Sequence, residues 1–187
     1  MSKTHVRAAI IGGLVVFIWG MLSWMVLPWH QSSLKKFSNE SEVADVIRDN
    51  ASTSGVYILP NTFSYGEHTS HKEMKCGMKM IEDGPYVFAS VRSTGMGKMS
   101  LGPFICSLIT QIIGAYIVVW MLMQTKGLSF GQKVGFVTLF GFSIALLGMF
   151  PDWIWWGFSG CFVITNMLDV VIGWFLAGLC MVKYLKR

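Results

Sequence analysis

Charge is what this sequence has least of. Only 13% of its 187 residues are Asp, Glu, Lys or Arg, 53% are hydrophobic, and the mean hydropathy is +0.53. An ordinary soluble domain carries about 25% charged residues. The shortage therefore points away from a soluble globular domain and towards a polytopic membrane protein. A basic run interleaved with aromatics is missing as well, so the formal charge of +5 does not signal a nucleic-acid partner. Cys76, Cys106, Cys161 and Cys180 form no CxxC pair, which speaks against a zinc ribbon or a redox-active dithiol. With no nucleophile elbow, phosphate loop or HExxH helix, nothing supports a standard hydrolase, and a non-catalytic role is the expectation. The first apolar run follows Lys3 and Arg7 but is not followed by an A-x-A cleavage site. Spanning about 20 residues, it exceeds the ~7–15 of a signal-peptide core and reads as a retained anchor.

What the sequence does have is four long apolar runs, over residues 8–27, 104–123, 134–150 and 158–182. Each is near or above the roughly 17–20 residues a helix needs to cross a bilayer. The expected fold is a membrane α-helical one, a four-transmembrane-helix bundle with a small α+β extracytoplasmic domain inserted between helices 1 and 2. The expected organisation is 1–28 for the N-terminus and first span, 29–102 for the inserted domain and 103–187 for the remaining spans. Pro28 stops the first span, and Pro103 opens the second at a position that needs no amide donor. Small residues recur along the spans: Gly13 and Gly20 in the first, Gly114 in the second, Gly141 in the third, Gly173 and Ala177 in the fourth. Such stripes let helices approach closely in lipid, where apolar burial gives no drive to associate. Trp29, His30, Trp153, Trp155 and Trp156 flank the runs and suit the headgroup layer, with residues 150–157 expected as a tight turn.

Residues 29–102 hold eight basic and eight acidic side chains, which marks the one sizeable water-exposed part. Asn39 followed by Glu42 has the form of a capping box and predicts a short helix to about Asp49. Residues 55–59 and 86–91 read as strands after turns, with a third strand expected around 76–81. Lys3, Arg7, Lys126, Lys133, Lys183, Lys186 and Arg187 fall on one side of the spans, where there is no Asp or Glu. The positive-inside tendency makes that side cytoplasmic. The expected location is a multi-pass inner-membrane protein with both termini cytoplasmic and residues 29–102 periplasmic or extracellular.

The fourth run contains an acid, Asp169, near its middle. A carboxylate at the bilayer centre costs at least about 2.5–3.5 kcal/mol, so it should face other helices. Helical spacing puts Asn166, Asp169, Gly173, Ala177 and Cys180 on one stripe, with Ile164, Leu168, Val171, Phe175, Leu179 and Val182 opposite, facing lipid. Asn166, Asp169, Gln111 and Thr138 then form the expected buried polar cluster, with Gln111 and Asp169 at similar depth. As function, such a cluster relays a proton or binds a cation; as structure, it holds helices in register. A lone membrane-embedded charge favours the structural role. A second set, His68, His71, Met74, Cys76, Met78 and Met80, offers imidazole, thiolate and thioether donors of the kind that hold copper or zinc. Three lysines in the same stretch oppose a cation there, and no cofactor is the expectation. His30 reads as an interfacial polar residue. One disulfide among Cys76, Cys106 and Cys161 is feasible in an oxidising compartment.

Trp19-Gly20 with 27–30 (LPWH), 55–60 (GVYILP), 84–89 (GPYVFA), 155–159 (WWGFS) and the run from Asp169 through 172–179 (IGWFLAGL) resemble a family of uncharacterised bacterial four-span membrane proteins. The resemblance covers nearly the whole chain and implies a fold but no activity. The loop plan is also similar to that of claudins, without the tryptophan and paired cysteines of their first loop; the quinone-linked thiol oxidases are disfavoured by the missing CxxC. The reading that follows is a non-catalytic accessory, assembly or partner-binding subunit. It would act on other membrane or periplasmic proteins, or on copies of itself, from within the lipid bilayer. The rivals are ion or proton handling at Asp169 and soft-metal binding by the segment 68–80.

Overall fold

The computed structural model describes residues 3–66 and 68–185; Lys186 and Arg187, two of the basic residues behind the expected orientation, lie outside them. In chain order the elements are α1 (Lys3–Met25), α2 (Trp29–Ser33), α3 (Glu40–Asn50), β1 (Gly55–Leu59), a 3₁₀ turn (Thr62–Ser64), α4 (His71–Asp83), β2 (Val87–Val91), α5 (Gly102–Gln124), α6 (Phe130–Trp156) and α7 (Gly160–Leu185). Among the described residues α1, α5, α6 and α7 are long and apolar enough to cross a membrane. The chain divides into two units: the four long helices with α2, ending at Lys35 and resuming at Ser100, and the segment Lys36–Met99.

In the first unit α1 packs on α5 and on α7, α7 packs on α6, and α2 lies against α7, whereas α5 and α6 barely meet. The four long helices thus form an arc in the order α5–α1–α7–α6, open between its two ends. Small residues set the close approaches. A Cβ on Gly13 would fall 2.6 Å from the Cα of Ile112, one on Gly12 2.2 Å from the Met181 sulfur, and one on Gly141 2.5 Å from the Trp174 Cβ. Gly173 likewise makes room for the Trp19 ring, 2.9 Å from where its Cβ would be. Ala8, Ala9, Ala115, Val118, Val137 and Met181 complete a core with essentially no exposed surface.

Three expectations about the spans are corrected. The third span is longer than residues 134–150: Ser129 and Gln132 cap it reciprocally, and it runs through Pro151 to Trp156. Proline forfeits one intrahelical bond, yet in apolar surroundings the remaining backbone groups still do best inside the helix. The expected turn at 150–157 is therefore helical, and the chain reverses at Gly157, whose φ of +71° a side chain would resist. Gly20, expected in a packing stripe, faces open space instead: a Cβ added there would meet nothing within 4 Å. On α7 the buried face is Gly173, Trp174, Ala177, Gly178, Met181 and Val182, while Cys180 is exposed. Sitting between α1 and α6, this helix needs two adjacent rows of contact residues, so its buried face is wider and rotated from the stripe expected. Ile164, Leu168 and Phe175 do point outward.

In the second unit β1 and β2 pair antiparallel from Gly55 opposite Val91 to Leu59 opposite Val87. The Asn39 side chain accepts from the Glu42 amide and starts α3 as its spacing predicts. The third strand is not formed. Residues 76–81 belong to α4, begun by a second reciprocal cap in which Ser70 and Glu73 bond each other's backbone amides. Met, Lys and Glu are good helix formers, and the Ser-x-x-Glu start outweighs a few apolar residues in a row. Tyr65 lies over Gly77, where a Cβ would meet its hydroxyl at 2.2 Å. Among the described residues of this unit only Ala51, Pro60 and Gly77 are buried. Cys76, Cys106, Cys161 and Cys180 are all free thiols, so the feasible disulfide is not formed.

Candidate functional site

The site begins with the short link after α1. Pro28 cannot continue the helix, so the chain turns and starts α2, which rests on α7. That return carries His30 to a position where it is 1% exposed, not to an interface. Its Nε2 lies 3.5 Å from Asp169 Oδ2 on α7 and 3.0 Å from Ser23 Oγ on α1. Trp29 Nε1 donates to the same Ser23 oxygen at 2.9 Å, and Trp19 Nε1 donates to the backbone carbonyl of Asp169 at 3.0 Å. Trp24 stacks on the imidazole, with ring centroids 3.9 Å apart and 12° between planes. Ser33 Oγ donates to the His30 carbonyl at 2.7 Å. Three elements are thereby tied at one point, and three tryptophans keep it apolar.

Two polar atoms here are buried without a hydrogen-bond partner among the described residues: His30 Nδ1 and Asp169 Oδ1. Both neighbours of the imidazole address Nε2, so Nδ1 is orphaned in either neutral tautomer and in the cation. A buried polar group left without any partner typically costs about 1–3 kcal/mol, so these two atoms call for an explanation. Serine, histidine and aspartate are the residue types of a hydrolytic triad, but the geometry is not that of one. A triad places its acid and its nucleophile on opposite ring nitrogens, and here both meet Nε2. Ser23 is also fully buried and accepts a bond from an indole, which leaves it unable to reach a substrate.

Beside the pair is a cleft of about 630 Å³, within the usual range for ligand sites. Trp19, Gly20 and Trp24 of α1 line it, with Ser107, Thr110 and Gln111 of α5 opposite. Asp169 and Trp174 of α7 and Ile144 of α6 complete the wall, so the cleft occupies the gap that the open arc leaves between α5 and α6. Trp174 is held between Gly114, where an added Cβ would lie 3.5 Å from its ring, and Gly141, with Phe140 edge-on at 5.5 Å.

Of the expected polar cluster, Asp169 and Gln111 line one cleft without a hydrogen bond between them. Asn166 and Thr138 do not join them. Asn166 Nδ2 donates to the Phe162 carbonyl and Thr138 Oγ1 to the Val134 carbonyl, each within its own helix, and Thr138 lines a separate groove with Phe130 and Leu179. Short polar side chains in spans find the carbonyl one turn back more cheaply than a partner on another helix. The missing member is His30, and the signal that could have found it is the proline two residues before it.

The expected metal donors are divided by the geometry of α4. His71, Met74 and Met78 follow one face, whereas His68, Cys76 and Met80 line a cleft with Tyr65 and Glu73 on another. Among the described residues no group of three or more His, Cys, Asp or Glu is placed to hold a metal ion. Of the tryptophans expected at the interface, Trp153 and Trp155 are exposed and Trp156 is half-buried, whereas Trp29 is half-buried in the site. No family model matches the chain, and neither does any curated protein or solved structure.

Proposed function

We propose that this chain is an integral membrane protein that takes up and releases a proton at the His30–Asp169 pair, within a four-span assembly. The observation that carries this reading is the pair itself: a buried imidazole and a partly buried carboxylate 3.5 Å apart, each with one buried polar atom that has no partner among the described residues. Ionisable groups inside spans usually mark ion or proton pathways, and the objection to such a role was that Asp169 stood alone. His30 supplies the second group. A proton on the imidazole neutralises the carboxylate, and loss of that proton leaves a buried charge, so the protonation state is coupled to how α2 sits on α7.

The test is a pH titration of the full chain in nanodiscs, following the carboxyl band by infrared difference spectroscopy and the imidazole by ¹⁵N resonance. One coupled step is expected in the wild type, removed by Asp169→Asn and altered by His30→Gln. A wild type without any such step between about pH 4 and 9, where carboxylates and imidazoles change charge, would sink the reading.

A second reading is supported by a separate feature. The unit Lys36–Met99 leaves Val56, Met78, Met96 and Met99 exposed, apolar side chains available to a partner. This favours an accessory subunit whose outer unit engages another membrane or periplasmic protein, or a second copy of the chain. In either reading the distribution of basic residues supports cytoplasmic termini with Lys36–Met99 outside, which in a bacterium would be the periplasmic side of the inner membrane.

A further inference from the structure

We infer that the cleft beside Asp169 binds a lipophilic organic cation, in competition with the proton on the His30–Asp169 pair. The inference rests on the proton-site reading, because one carboxylate serves both. The observations are chemical and geometric. Aromatic rings form part of the wall: Trp19 and Trp24 from α1, Phe104 from α5, Trp174 from α7. Tryptophan faces attract cations, the more strongly where water is excluded. Asp169 is the sole charged side chain among the lining residues, so its sign selects for positive ligands. The cleft's volume of about 630 Å³ suits a bulky ligand, and its position in the gap between α5 and α6 lets a lipid-soluble one enter from the side.

Competition with a proton follows from charge. A partly buried carboxylate such as Asp169, 13% exposed, is stabilised by one neutralising charge, supplied either by a protonated His30 or by a cation in the cleft. The other groups facing the pair leave this account unchanged. They are Ser23, Trp19 and Trp24 on α1, and Trp29 and Ser33 on α2. Across the cleft are Ser107, Thr110 and Gln111 on α5 and Ile144 on α6. None of these carries a charge. Lowering the pH should therefore weaken cation binding.

The probes are tetraphenylphosphonium and, as a control of the same shape and opposite charge, tetraphenylborate. Binding to the full chain in mild detergent is measured by calorimetry against protein-free micelles. Selective binding of the phosphonium is expected, with affinity falling as the pH is lowered. Asp169→Asn should reduce affinity at least about tenfold, the scale of one close charge pair in a partly shielded site. Gly20→Leu is the second variant. A Cβ there meets nothing within 4 Å, so the longer side chain fills the cleft without disturbing helix contacts, and phosphonium binding should be lost with the melting temperature unchanged. Equal uptake of both ions, or phosphonium binding that survives Gly20→Leu, overturns the assignment. Failure of the two readings is distinguishable. Proton titration without phosphonium selectivity removes the cation site alone. Selective phosphonium binding that is independent of pH supports the cleft and counts against proton exchange.

Discussion

The two units of this chain solve opposite problems with opposite materials. In the helical unit, glycine and alanine bring backbones together, and a single added methyl would collide with Ile112, Met181 or Trp174. In Lys36–Met99 large side chains such as Val56, at 67% exposed, and Met99, at 89%, stay largely uncovered. Stability in the first comes from many close contacts; in the second it comes from backbone pairing and helix caps. The contrast shows that residue size is a poor guide to structural weight: the smallest side chains do the most where helices must touch, and the largest do little where nothing covers them.

The most damaging way to test that contrast is to unpair the site that ties α1, α2 and α7. Replacing His30 with Leu leaves Asp169 without its partner and should cost about 3–5 kcal/mol, whereas the double variant His30→Leu/Asp169→Leu should recover most of it. Unfolding in mixed micelles measures both, and equal losses in single and double variants would show that the pair does not act as a unit. Next in size is Gly13→Val, expected to cost about 1–3 kcal/mol by overpacking against Ile112, read by the same unfolding assay.

Smaller effects belong to the other unit. Ser70→Ala removes the cap of α4 and should cost about 1 kcal/mol locally, seen as faster amide exchange over His71–Asp83 with the four long helices unchanged. The same cap predicts a pH dependence. The Ser70 hydroxyl, and then its amide, hold the Glu73 carboxyl below its ordinary value of 4.5. A carboxyl depressed on folding contributes stability that is present above its unfolded value and lost as the pH falls through the folded one. Protection of α4 should therefore decline only below about pH 4.5. Smallest of all, Met99→Ala removes most of a large side chain yet should change stability by less than about 0.5 kcal/mol, because that side chain is already exposed. A larger loss would mean that the side chain is covered after all and that the two units differ less than their surfaces suggest.

Parts of this were legible in advance. Four spans follow from uninterrupted apolar length, and the start of α3 follows from the reciprocal bonds available to Asn39 and Glu42, both local properties. The strands β1 and β2 are readable for the same reason, from β-branched and aromatic residues bounded by turns. The third strand was misread because a short apolar run outranked the Ser-x-x-Glu start at Ser70, and the length of α6 because Pro151 was treated as a stop. Asn166 and Thr138 were misplaced in the site because spacing along a helix tells which residues share a face but not whether a side chain prefers its own backbone.

The sequence by itself determined how many helices are long enough to cross a bilayer and that one acid would need shelter, since apolar length and the cost of a buried charge are properties of a segment. Only the tertiary structure decided what shelters it. Asp169 meets His30 because Pro28 turns α2 back onto α7, and the cleft exists because α5 and α6 stay apart. Both depend on distances between segments far apart in the chain, which no local pattern encodes.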